Sequence, residues 1–178
     1  MRCLIVYDTV YGSTAQIARW IAERLEGFDG VEVTVRRVSE DVDLANHDAV
    51  IIGSPIYRDD RILHTVEDFV AKNQEELARK AVGIFVVALD VAGTYFRGRV
   101  VGGVEYLRAF AELFAAPPIY GKVLGGNLVP PKLTPEDREG LRDFYRRVRG
   151  TEDIPYRTSL DQGSAWEFAA RFFHYASQ

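Results

Sequence analysis

Short apolar runs alternate with amphipathic stretches along most of the chain. Cys3-Leu4-Ile5-Val6-Tyr7 predicts a strand over 3–7. Ile17, Ile21 and Leu25 then recur every four residues, with Ala18, Trp20 and Ala22 beside them, which predicts a helix with one apolar stripe. Residues 31–35 alternate with period two, as an edge strand with one wet face does. Ala49-Val50-Ile51-Ile52-Gly53 is a continuous apolar run ending in Gly-Ser-Pro and reads as a central strand. Ile62, Leu63, Val66, Phe69 and Val70 stripe a second helix, and 82–89 is the most strongly β-type segment. Val104, Leu107, Ala111 and Phe114 mark a third helix closed by Pro117-Pro118, followed by a glycine-broken strand over 119–128. The last helix spans 166–175 and carries Trp166, Ala169, Ala170 and Phe173. About five strands with helices between them predict an α/β domain with a parallel sheet covered on both faces.

One segment breaks the alternation. Residues 129–160 are polar, open with Pro130-Pro131 and contain a charged helical stretch over 135–149. A run that long without a core pattern is an insertion or a long loop. No internal repeat or low-complexity tract accompanies it, so the chain reads as a single domain over 1–178 with an insertion at about 129–160.

Composition narrows the classes. With 178 residues, 47% hydrophobic and 27% charged, the chain is long and apolar enough to bury a core. A net charge of -4 and a pI near 5.4 argue against nucleic acid as partner. A single cysteine, Cys3, excludes an internal disulfide and a thiolate cluster. No apolar run approaches the roughly 20 residues of a membrane span, and the N-terminus is polar too soon for a signal peptide. The cytoplasm is the default compartment on this reading.

In a doubly wound sheet, ligands sit beyond the C-terminal strand ends, and three loops there carry candidate chemistry. The first is Thr9-Val10-Tyr11-Gly12-Ser13-Thr14, which opens the first helix. A helix start offers free N–H groups and a partial positive charge to an anion, Gly12 permits close approach, and hydroxyls of Thr9, Ser13 and Thr14 add donors. The alternative is that Ser13 or Thr14 only caps the helix. The second loop, Ser54-Pro55-Ile56-Tyr57, puts an aromatic ring after a buried strand, where it either stacks on a planar ligand or covers the sheet rim. The third runs from Leu89 and Asp90 through Gly93 to Tyr95 and Phe96. Other chemistries fail on their spacing. There is no Walker phosphate loop, no dinucleotide fingerprint and no nucleophile elbow, and His47, His64 and His174 lack metal-ligand spacing. A receiver domain would cluster acids at the end of the first strand, where Asp8 stands alone.

These loops resemble those of the flavodoxin superfamily, whose first loop runs T/S-x-T-G-x-T. Thr9, Gly12 and Thr14 fit that motif, while Tyr11 stands where a hydroxyl residue is usual; Gly53-Ser54-Pro55-Ile56-Tyr57 is similar to the flavin-flanking loop. The resemblance implies a flavodoxin-like doubly wound five-stranded parallel sheet of order 2-1-3-4-5, with an inserted helical segment before the last helix. It also implies FMN as cofactor, its phosphate on residues 9–14 and its ring between Tyr57 and the Tyr95-Phe96 loop. An apolar sandwich in acidic surroundings would shift the flavin potentials downward. The tail, from Gly126-Asn127-Leu128 through Arg149-Gly150-Thr151 to Trp166, resembles the flavodoxin-like family of menaquinone-dependent protoporphyrinogen dehydrogenase. That narrower likeness implies a porphyrinogen or quinone substrate, a place in heme biosynthesis and peripheral membrane contact; a homodimer is a separate option that the sequence leaves open. The inserted helix departs from it by being mixed in charge. No residue stands out as a proton-transfer catalyst. Three functions therefore stand side by side at this point: an FMN oxidoreductase, an electron carrier with a redox protein as partner, and a scaffold without flavin.

Overall fold

The computed structural model describes residues 1–96 and 98–178, and of Asp59, Phe96 and Val148 the backbone. Five parallel strands form the central sheet: β1 (Arg2–Tyr7), β2 (Glu32–Arg37), β3 (Ala49–Pro55), β4 (Ala81–Ala88) and β7 (Tyr120–Gly125). Their order is β2-β1-β3-β4-β7, the expected 2-1-3-4-5. Between them lie α1 (Ser13–Glu26), α2 (His64–Lys72), the single turn α3 (Gln74–Leu77) and α4 (Val104–Ala111). Two features were not legible in advance: an antiparallel hairpin of β5 (Thr94–Phe96) and β6 (Arg99–Val101), and the two-residue strands β8 (Asn127–Leu128) and β9 (Arg157–Thr158). The inserted helix α5 (Pro135–Arg149) stands where the sequence placed it, and α6 (Gln162–Ala176) closes the fold.

Alternate side chains of a strand point to opposite sheet faces, and the core divides accordingly. Cys3, Ile5, Ile51, Phe85 and Val87 face α1 and α6, whereas Leu4, Val6, Val50, Ile52, Ile84 and Val86 face α2 and α4. Each fully buried aliphatic or phenyl side chain contributes about 1.5–3 kcal/mol. Close approach of α6 depends on Gly83, because a Cβ there would lie 2.6 Å from Phe172 Cδ2.

The buried face of α6 is Ala165, Phe168, Ala169 and Phe172, one residue earlier at each position than the stripe Trp166, Ala169, Ala170 and Phe173 expected from the sequence. Trp166 is 38% exposed, and Phe173 stacks on Phe28 at the margin. The spacing i, i+3, i+4, i+7 of the buried set is the helical one; the large indole at 166 drew attention away from the alanine beside it.

The glycine-broken strand is also two elements. β7 ends at Gly125, and a Cβ there would sit 2.0 Å from Ser159 O, so the returning chain crosses directly over it. β8 then leaves the sheet to pair with β9, and Asn127 Oδ1 accepts from the amides of Ser159 (3.2 Å) and Leu160 (3.3 Å). The insertion is thereby closed at its base. Its helix carries ordinary end signals: Thr134 accepts from Asp137 N, Pro135 follows, Glu136 and Asp137 occupy the first turn, and Gly150 (φ 67°) ends it. Among the described residues no helix is long and apolar enough to cross a membrane.

Candidate functional site

The chain leaves β1 for β2 on one side and returns to β3 on the other, so strand order reverses at β1. The loops after β1, β3 and β4 emerge together at this sheet edge. Asp8, the first residue beyond β1, is turned into the structure. It accepts from Arg37 Nη2 (2.6 Å), Thr65 Oγ1 (2.6 Å) and Thr9 N (2.8 Å). Burial alone would raise its pKa, but the bonds from Thr65, Arg37 and the Thr9 amide outweigh burial and hold the carboxyl below its usual range. Asp8 is thus an anchor for the loop rather than a free acid.

Thr9 Oγ1 accepts from Gly12 N at 3.0 Å and closes the turn. Gly12, at φ 91°, is the N-cap of α1. No side chain caps this helix and no acid lies in its first turn, so its first N–H groups point to the sheet edge without a protein acceptor from a cap. Ser13 Oγ accepts from Asn127 N at 3.2 Å, tying the loop to β8. Thr14 is fully buried, and its Oγ1 has no hydrogen-bond partner in the protein. An orphaned hydroxyl below an uncapped helix start and a left-handed glycine is an arrangement suited to an anion. Val10 and Tyr11 flank it, 39% and 36% exposed.

In the second loop, Ser54 is fully buried and its Oγ accepts from Leu63 N at 3.0 Å, so this hydroxyl shapes the loop itself. Pro55 ends β3, Ile56 bridges to Ile62, and Tyr57 N donates to Arg61 O at 2.8 Å. In the third loop Asp90 plays a similar internal part: its carboxylate accepts from Gly93 N (2.9 Å) and Thr94 Oγ1 (2.8 Å), and its carbonyl from Gly103 N (3.0 Å). Leu89 is half-buried at the strand end, and Tyr95 projects with 73% of its surface exposed. The side chain of Phe96 lies outside the described residues. The sequence therefore brings all three loops to one edge, but Ser54 and Asp90 bind their own loops.

One residue of this edge escaped the sequence reading. Asp137, in the first turn of α5, receives the hydroxyls of Tyr11 and Tyr57, the latter at 2.7 Å, and Arg58 Nη2 at 2.9 Å. Burial pushes its pKa up, but the bonds from Tyr11, Tyr57, Arg58 and the Thr134 turn bring it down to about 2. The Tyr57 phenol moves the other way: burial and the adjacent Asp137 push it up to about 12, so it stays a neutral donor. Asp137 reads as a helix-start acid in sequence, and nothing in its spacing announces partners 80 and 126 residues away. Among the described residues no cluster of three metal-ligating side chains exists. The Cys3 thiol is buried and pushed up to about 12, which leaves it inert.

Fold and edge together define a doubly wound domain with three loops gathered at its switch point. Residues 4–154 match the family of the flavodoxin domain, and the chain belongs to that family. Solved structures agree at the level of the fold. Flavodoxin 2 from Bacillus cereus is 25% identical, with 98% of this chain and 99% of that one covered and a TM-score of 0.57. A short-chain flavodoxin associated with a non-canonical PDU bacterial microcompartment is 18% identical, 99% of each chain being covered, with a TM-score of 0.59. A variant of the Fusobacterium nucleatum flavodoxin, bound to flavin mononucleotide, is 17% identical over 99% of this chain and 95% of that one, with a TM-score of 0.52. No curated protein matches the chain.

Proposed function

We propose that this chain is an FMN flavoprotein that oxidises or reduces a small aromatic or quinone-type substrate at the edge formed by its three loops. The observation that carries the cofactor is the buried Thr14 hydroxyl without a partner, beneath Gly12 at the uncapped start of α1. These residues fit a phosphate: its oxygens would accept from Thr14 Oγ1, from the hydroxyls of Thr9 and Ser13, and from first-turn amides. Gly12 has open space at its missing Cβ, so nothing blocks backbone approach. When bound, FMN supplies the electron-accepting ring, and the protein supplies its place and its field. Tyr57 and Tyr95 offer flat apolar cover on loops either side of the cradle, and the Val10, Ile56 and Leu89 side chains exclude water from its rim. Among the described residues, none is proposed for proton transfer.

What favours a substrate over a plain carrier is α5, which is fastened by Asp137 to two of the three loops and so restricts what reaches them. The finer assignment, an activity like protoporphyrinogen dehydrogenase with quinone as acceptor, rests on the tail segment 126–166 and belongs to this proposal, as do contact of Arg142, Arg146, Arg147 and Arg149 with anionic lipid or a porphyrin propionate and pairing of two chains. A second reading has its own support: Val91, Tyr95, Val100 and Val104 are exposed around the third loop, a surface suited to a redox protein.

Anaerobic titration with FMN tests the cofactor. Uptake of one equivalent with a change in flavin absorption is expected; a protein that stays colourless in excess FMN would refute it. Turnover of protoporphyrinogen with a quinone acceptor by the loaded protein then separates the readings, because a carrier shows none yet passes electrons to a reductase or partner protein.

A further inference from the structure

Asp137 occupies the exposed end of a mixed-charge helix, yet its side chain is only 8% exposed. Four donors from two separate loops converge on its carboxylate: the Tyr11 hydroxyl, the Tyr57 hydroxyl at 2.7 Å from either oxygen, and Arg58 through Nη2 (2.9 Å) and Nε (3.3 Å). Arg58 does a second thing. Its guanidinium lies over the Tyr57 ring, Cζ 5.3 Å from the centroid, and its Nη1 reaches Glu136 at 2.7 Å. The hydroxyl and the ring of Tyr57 are thus both held by the same pair of residues. Tyr11 is held from the same helix, since its oxygen also accepts from Thr134 N at 3.3 Å. None of these bonds serves the helix itself, whose cap is Thr134.

We infer that Asp137 is a positioning residue that clamps Tyr57 and Tyr11, so that docking of α5 and binding of FMN stabilise one another. The inference rests on the FMN reading above. Its physical basis is preorganisation: a tyrosine already fixed by hydroxyl and face loses little rotamer freedom when a ring stacks on it. By linkage, whatever helix docking adds to FMN affinity, FMN adds equally to helix docking. The unusual tyrosine in the phosphate loop then has a reason, because its reach to α5 couples the two ends of the cofactor.

The test uses the full chain as wild type, Asp137→Asn, Tyr57→Phe and the double variant. FMN affinity is read from flavin fluorescence, ring seating from visible circular dichroism, and helix docking from tryptic cleavage within 135–149 with and without FMN. Asp137→Asn keeps the shape of the side chain and is expected to weaken FMN binding about tenfold and to alter the dichroism. The double variant should be no weaker than the worse single one, since both changes break one clamp. FMN should slow cleavage of the α5 segment in wild type and fail to do so in Asp137→Asn. Should that variant misfold, Tyr57→Phe removes a single oxygen and carries the same expectation. Affinity within twofold of wild type in both single variants, additive losses in the double variant, or equal protection of α5 by FMN in wild type and Asp137→Asn would each overturn the inference while leaving FMN binding intact. A wild type that takes up no FMN overturns the proposed function and this inference together.

Discussion

Replacing Thr14 with valine separates a structural hydroxyl from one kept for a ligand. Thr14 is fully buried, and its Oγ1 has no protein partner, whereas its shape is nearly that of valine. Leaving a buried donor unmade costs about 1–3 kcal/mol, so Thr14→Val should stabilise the cofactor-free protein by about 1–2 kcal/mol. For a chain of this size that is a rise in Tm of about 2–8 °C. The bound protein should respond in the opposite sense. A hydrogen bond to a charged phosphate is worth about 1.5–3 kcal/mol, so FMN affinity should fall about 10- to 100-fold. The assay is urea unfolding with and without FMN, with fluorescence titration for the dissociation constant. At FMN 100-fold above the wild-type constant, wild type gains about 2.7 kcal/mol and a variant weakened 10- to 100-fold only about 1.4 to 0.4, so the stability lead of the variant should shrink by about 1.3–2.3 kcal/mol. A variant whose cofactor-free form loses more than about 1 kcal/mol, or whose FMN affinity is unchanged, refutes the assignment of this hydroxyl to a ligand.

Gly12→Val and Gly12→Asn should differ. Both have space for a side chain, but φ 91° is left-handed, so valine should cost about 1–2 kcal/mol and much FMN affinity while asparagine retains most of both, as urea unfolding and titration will show. Gly53→Ala should be among the most destabilising single changes, about 3 kcal/mol or more by urea unfolding, because its Cβ would lie 2.1 Å from Phe85 Cζ in the middle of the core. Asp8 is held below its ordinary pKa in the fold, so its contribution is complete above the unfolded value of about 4 and is lost as pH falls through the folded value. Asp8→Asn should therefore flatten the acid limb of the stability profile below about pH 4 and leave its neutral and alkaline limbs parallel to wild type.

The parallel sheet was legible because each of its buried strands is a continuous apolar run, and because 13–26 repeats its stripe every four residues. Phase was harder than existence. In α6 the indole of Trp166 looks like a core residue in sequence, but the buried position is Ala165, which shares its face with Phe168, Ala169 and Phe172, while Trp166 points one position away from it. The hairpin within the third loop rests on three residues per strand and on Gly93, whose Cβ would meet Val100 at 3.1 Å, and a contact of that kind has no period to announce it. The cradle could be read locally because a strand, a glycine, hydroxyls and a helix start are consecutive. Ser54 and Asp90 stand at strand ends for the same local reason, and the structure adds that their hydroxyl and carboxylate bind the loops that carry them. Asp137 was hidden because its role lies wholly in partners from distant loops.

Position in the topology explains why the insertion meets the site at all. A parallel strand delivers the chain to the C-terminal edge of the sheet, and the next helix must begin there to run back across the face. Any segment inserted between β7 and α6 therefore emerges on the edge that carries the loops after β1, β3 and β4. Gly125 lets the returning chain cross at the strand end, and Asn127 fastens both arms, so α5 starts within reach of 11 and 57 rather than trailing into solvent. A threonine at 11 would be too short to span that gap. The departure from the usual first loop and the presence of the insertion are thus one feature of this chain: the loop has given up a short hydroxyl and gained an arm that engages the helix above it.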